Sequence, residues 1–161
     1  MKIKLGEEEI DLDEDNLIVS ESNMNEFLKK FAGIYNYYNN AWAKSQYLNH
    51  AAEDRYDALY NEKFTFYKEN GGASDKLAEA KAKANEEVQV AKKSVRNSKY
   101  IMQLLFTYLR ALDKAQENAL NLGDNIRKEM DKIFPQAIKG MPVNHSDADH
   151  EVSKLFSNLT V

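Results

Sequence analysis

Apolar residues in this chain recur in alternating steps of four and three along two long runs, the spacing that lines one face of an α-helix. The first run is Met24, Leu28, Phe31, Tyr35, Tyr38 and Trp42, continued in the same register through Ala52, Tyr56, Leu59 and Phe66. Asn23 followed by Glu26 has the form of a capping box that opens this helix, and Gly71-Gly72 ends it. Such a helix extends about 70 Å at 1.5 Å per residue, with Gly33 and Asn39-Asn40 as places for a bend. The second run opens with Ser74 as N-cap and Asp75 in the first turn. It then steps through Ala84, Val88, Ala91, Val95, Ser98, Met102, Leu105, Leu109 and Leu112. Leu122, Ile126, Met130 and Ile133 carry the apolar face on to Phe134, where Pro135 is expected to stop it. Two heptad-like helices joined by a Gly-Gly turn predict a long antiparallel helical hairpin, coiled-coil-like in its seam.

The ends of the chain have different patterns. Residues 2–12 read KIKL, GEEE, IDL, two alternating segments around a glycine-containing turn, which predicts a small β-hairpin. After Pro135 the sequence reads as a linker. It is followed by EVSKLFSNLTV, in which Val152, Leu155, Phe156 and Leu159 share one face of a short C-terminal helix. The expected fold is therefore all-α, with a helical core over 23–134. An acidic hairpin or strap occupies 1–22, and a linker with an amphipathic segment occupies 135–161.

The apolar surplus on the two helices exceeds what one seam needs. The stretch YIMQLLFTYLRAL, residues 100–112, holds ten apolar or aromatic residues out of 13. Phe27, Phe31, Tyr35, Tyr37, Tyr38 and Trp42 crowd the first helix in the same way. A helix apolar around most of its circumference is buried on several sides, so the expectation is a homo-oligomer. Its interface is placed at Phe31, Tyr35, Tyr38, Trp42, Met102, Leu105 and Leu109.

Composition narrows the class. Pro and Gly are scarce, two and six in 161 residues, which favours long uninterrupted elements. There is no cysteine, so disulfides and thiolate metal sites are excluded and a reducing compartment fits. The N-terminus has no apolar h-region, and no apolar run approaches the roughly 20 residues that span a bilayer. A cytoplasmic protein without membrane partners is the expectation. The net charge of −4 conceals an asymmetry. Residues 1–26 carry nine acids and two lysines, whereas residues 27–134 carry 18 bases and 14 acids. The acidic segment reads either as a solvated strap or as a cover for a basic surface elsewhere.

Few residues suggest catalysis. Asp11, Asp13 and Asp15 have the spacing that opens a calcium loop, but Asn16 and Ser22 stand where that loop requires Gly and Glu. His145, Asp147, Asp149 and His150 fall in the linker without a supporting shell. His50, beside Ala51 and Ala52, reads as a partly buried helix residue. No nucleophile elbow, phosphate loop, zinc-protease motif or dinucleotide fingerprint occurs. The chain is expected not to be an enzyme and to need no cofactor or metal.

The informative charges are Lys92, Lys93, Arg96 and Lys99, in a stretch with no acid between Glu87 and Asp113. On a helix, residues 92, 96 and 99 share a face and Lys93 flanks it. A row of cations can follow a phosphate backbone, and Tyr100 beside it can stack on a base. The same row also fits a solvated face opposite the Val95, Ser98 and Met102 seam. Lys63 and Lys68 enclose Phe64, Phe66 and Tyr67, a basic and aromatic cluster that suits single-stranded nucleic acid or a helix core.

YNEKFTFYKENGG (60–72) resembles the end of the first long helix in the UvsY-type recombination mediators of T-even-type bacteriophages. SKYIMQLLFTYLRALDKAQENALNLGDNIRKEM (98–130) is similar to that family's second long helix. The resemblance covers roughly residues 24–132 and rests on order and pattern. It implies a ring-shaped helical oligomer that binds single-stranded DNA. Such a protein helps load a RecA-like recombinase onto strands coated by single-strand-binding protein, in the cytoplasm of an infected host. Lys63 matches the basic residue before the family's aromatic pair, where DNA contacts lie, while Asn61 departs from the expected second base. The residues alone leave a second reading open, a protein-only coiled-coil scaffold or adaptor of phage assembly or regulation.

Overall fold

A computed structural model describes residues 1–140 of the chain. Two short strands, β1 (Lys2–Leu5) and β2 (Glu8–Asp11), precede a 3-10 turn at Glu14–Leu17 and three helices. The helices are α1 (Met24–Glu69), α2 (Asp75–Ala84) and α3 (Glu86–Gly140). The fold is mostly helical with one small antiparallel sheet, and the contacts divide it into two units, Met1–Asn121 and Leu122–Val161. The expected C-terminal helix and the His145–His150 cluster lie outside the described residues.

The hairpin forms as its alternation predicts. Ile3 pairs with Ile10 and Leu5 with Glu8 across a two-residue turn, in which Gly6 takes a φ of 66°. That positive φ suits glycine at the first central position of a tight hairpin. The side chains of Ile3, Leu5, Ile10 and Leu12 are buried, and they join Phe27, Phe31, Tyr38, Leu105, Tyr108, Leu109 and Leu112 in one core cluster. The acids alternate outward, several onto partners within the chain: Glu9 holds Lys2, Glu8 holds Lys44 and Asp11 holds the N-terminal ammonium. Two tyrosines fasten the segment to the helices. Tyr38 donates to the Asp11 carbonyl at 2.7 Å and Tyr108 to the Asp13 carbonyl at 2.6 Å. The acidic segment is thus a third layer of the first unit, which corrects the solvated-strap reading.

Helix α1 runs its 46 residues without interruption, through Gly33 and Asn39-Asn40. It stops where expected: Gly72 has a φ of 54°, and a Cβ on Gly71 would sit 2.8 Å from the Tyr67 carbonyl oxygen. The capping box at its start does not form. The Asn23 side chain points backward instead, accepting from the Ser20 amide and donating to the Ile18 carbonyl, while Glu26 pairs with Lys30.

The second run is broken where periodicity showed no break. Asn85 is extended, with φ −64° and ψ 135°. Its Oδ1 accepts from the amides of Glu87 at 3.0 Å and Val88 at 3.4 Å, the work of an N-cap. The break leaves α2 as a separate helix packed on α1, where Ala78 and Ala82 are fully buried. Lys68 pairs with Asp75, and Lys81 lies over the Tyr67 ring. At the other end α3 continues through Pro135 to Gly140, so the proline does not stop it. Pro135 has no N–H for the carbonyl of Asp131, and helices tolerate such a gap at a cost of about 3 kcal/mol.

Within the first unit α1 and α3 are antiparallel. Tyr38 meets Tyr108, Trp42 meets Phe106, Asn49 meets Ser98 and Lys63 meets Glu87, so rising numbers face falling ones. Phe31, Tyr38, Leu105 and Leu109 are buried inside this single chain, which corrects their expected place on an interface between subunits. Tyr35, Trp42 and Met102 are half-buried. The hairpin supplies much of the cover that the apolar surplus requires.

Candidate nucleic-acid interface

The cationic stretch of α3 begins directly after its cap. Glu86 and Glu87 occupy the first turn, where carboxylates suit the exposed amides of a helix start. The next acid is Asp113. Between them the helix divides by face: Ala91, Leu105, Leu109 and Leu112 are buried, while Lys93, Arg96 and Lys99 are exposed and Lys92 is half-buried. Lys92, Lys93 and Arg96 line a shallow depression with Glu86, Gln89 and Val90. Among the described residues none of the four cations forms an ion pair. Tyr100, next to Lys99, is 60% exposed. The structure therefore brings these four cations and this ring onto one accessible side of one helix.

Lys63 and Lys68 are placed differently. The Lys63 ammonium lies 2.6 Å from Glu87 and 3.2 Å from Glu62, with its side chain 21% exposed. The hydrogen bonds it donates to Glu87 and then to Glu62 raise its pKa above the ordinary lysine value. It faces a groove of about 620 Å³ between α1 and α3, together with Arg55, Glu62, Glu86 and Glu87. Its charge is neutralised inside the fold, where the family resemblance had placed a DNA contact. Glu86 and Val90 line both this groove and the Lys92 depression, so the two adjoin. Lys68 is held by Asp75 at 3.0 Å and sits 5.9 Å from the Phe64 ring centre. The neighbouring aromatics mainly pack: Phe64 stacks on Tyr60, Tyr67 carries Lys81 on its ring, and Phe66 is exposed.

The closer partner of Lys63 was not visible in the local sequence. Glu87 lies 24 positions from Lys63 and on another helix, and only the antiparallel register brings the two together. Among the remaining candidates, Asp13 caps the 3-10 turn through the Asp15 amide at 3.0 Å. His50 is exposed, with Glu53 at 3.5 Å, contrary to the partly buried position expected for it. No protein family, curated protein or solved structure matches this chain. Among the described residues, no helix is long and apolar enough to cross a membrane.

Proposed function

We propose that this chain is a single-stranded-DNA-binding accessory factor of recombination that works as a homo-oligomer and presents the outer side of α3 to the strand. The observation that carries the reading is the acid-free stretch from Val88 to Leu112, whose cations form no ion pair among the described residues, while Lys63 is neutralised by Glu87 and Lys68 has Asp75 as a surface partner. An exposed row of this kind binds phosphates by releasing counterions. The mediator role, with a RecA-like recombinase and single-strand-binding protein as partners, rests on the resemblance to the UvsY-type family and remains part of the proposal. Titration of labelled oligonucleotides over a salt series tests it. Replacing Lys92, Lys93 and Arg96 by Ala flattens the log–log salt slope by about 2, at roughly 0.7 per phosphate contact on single strands. A triple variant with wild-type affinity and slope sinks the reading.

The coiled-coil scaffold is favoured by a different observation. In the second unit Met130 and Ile133 are 51% and 63% exposed. They continue the four-three stripe of Leu122 and Ile126, a stripe that suits a second helix. Sedimentation at micromolar concentration gives a mass several times that of one chain if the protein self-associates. A monomer that still binds DNA would remove the oligomer from the proposal.

A further inference from the structure

The cation row does not stop at Lys99. Stepping on by fours and threes from Lys92, Arg96 and Lys99 leads to Gln103, Thr107, Arg110 and Lys114. At 100° per residue these seven positions fall within an arc of about 80°. All except the half-buried Lys92 are exposed. Leu105, Leu112 and Ala119, each fully buried, lie about half a turn away. The row therefore points away from α1 along its whole length of about 33 Å. Two acids border it without forming an ion pair among the described residues: Glu86 shares the depression of Lys92, Lys93 and Arg96, and Glu14 of the 3-10 turn lines a pocket with Thr107. Asp113 is turned aside toward Tyr35, where burial first and then this carboxylate raise the phenol pKa. Glu117 is the next residue in the stepping and closes the row. Among the described residues neither Arg110 nor Lys114 forms an ion pair.

Two aromatic rings flank the row. Tyr100 and Phe106 are 60% and 47% exposed, on opposite sides of the line through Gln103. Phe106 is propped against Trp42, with ring centres 5.8 Å apart, so its exposed part is held in place. Between Lys99 and Arg110 lies a gap of about 16 Å without cations, and the gap carries Gln103, Phe106 and Thr107. An exposed, fixed ring between two cation groups has a use on unpaired bases that a duplex, with its bases stacked inside, does not offer.

We propose that the outer face of α3 from Lys92 to Lys114 is one continuous track for a single strand. Arg110 and Lys114 form a second phosphate-binding group, and Tyr100 and Phe106 are stacking platforms between the two groups. This rests on the nucleic-acid reading above and adds to it the length of the site and three residues, Phe106, Arg110 and Lys114. The test is a length series of labelled oligothymidylates, from about 4 to about 20 nucleotides, titrated against the full chain and the R110A/K114A variant. Both substitutions are at exposed helix positions and to the best helix former, so circular dichroism should be unchanged.

The expected result is a loss of affinity that grows with strand length, and a salt slope on the longest strand flatter by about 1.4. A companion variant, Y100L/F106L, lowers single-strand affinity roughly fivefold or more while leaving the slope as it was. If wild-type protein binds no oligonucleotide, the proposed function itself falls. If it binds and R110A/K114A matches it at every length, the track ends at Lys99 and this inference is overturned. Equal affinity for duplex and single strands, or an unchanged Y100L/F106L, overturns the stacking role.

Discussion

The two ends of the α1–α3 pairing in the first unit are held by different chemistry. Where residues 27–41 meet residues 105–119, the contact is built from Phe27, Phe31, Tyr38, Leu105, Tyr108, Leu109 and Leu112, with the hairpin packed over it. Where residues 45–63 meet residues 87–98, the inward positions are Ser45, Asn49, Val88, Ala91 and Ser98, and Lys63 reaches Glu87 at the edge. The first region has a third layer and fills it with large rings. The second is covered only at its margins, by the hairpin turn at Leu48 and by α2 on α1, and an open groove runs beside it. The large rings gather where the hairpin covers the pair, and smaller or hydrogen-bonded side chains take their place where the pair faces water. The cation row spans both regions on the opposite side of α3, so it is independent of which chemistry holds the helix from behind.

The largest effect is expected at the covered end. Leu105→Ala and Leu112→Ala, at fully buried positions, cost about 2–5 kcal/mol each in urea unfolding. Next comes the fastening of the hairpin. Tyr108→Phe removes the hydroxyl that grips the Asp13 carbonyl and destabilises by about 1.5 kcal/mol, because a part-buried hydrogen bond is lost. The same residue gives a pH test. Burial, with a smaller contribution from Tyr38, pushes the Tyr108 phenol well above its ordinary value of 10.0. Below that value both folded and unfolded phenols keep their proton. As pH rises past it the unfolded phenol ionises first, so stability is lost on the alkaline side. Tyr108→Phe should show a shallower decline there, and parallel alkaline limbs for the two proteins would refute the assignment.

The smallest effect is expected at the open end. Asn49→Ala removes an acceptor 3.0 Å from the Ser98 hydroxyl, yet Ser98 keeps the Val95 carbonyl as its partner. The loss is about 1 kcal/mol. Should Asn49→Ala prove as damaging as Leu105→Ala, the contrast between the two ends would be wrong.

Much of this division was legible in the sequence, and the misses share a cause. The four-three stepping located α1 and its glycine stop, and the alternation of KIKL and IDL located the hairpin, because both signals are local. Asn85 was overlooked because Ala84, Val88 and Ala91 fit a single helical run on either side of it. The usable sign was an asparagine followed by two glutamates, a cap that a periodic pattern hides. Counting nine acids in residues 1–26 obscured the four apolar residues that alternate with them. Without those four residues as cover, Phe31, Tyr38, Leu105 and Leu109 read as needing a neighbouring subunit, whereas the hairpin packs in one cluster with them. The row at Lys92–Lys99 was readable because it needs only one helix. The pair of Lys63 with Glu87 was not, because it needs two.

The bond between Tyr108 and Asp13 joins residues 95 positions apart, and that distance is also an interval of time. At about 5–20 residues per second, a ribosome adds Tyr108 roughly 5 to 20 seconds after Asp13. Until then the hairpin is a two-stranded fragment, which is marginal in water, and Ile3, Leu5, Ile10 and Leu12 have only α1 to lean on. The hairpin is made before α3 and closes only after it, so a nascent chain stalled before residue 108 would expose a half-covered first helix to chaperones and proteases.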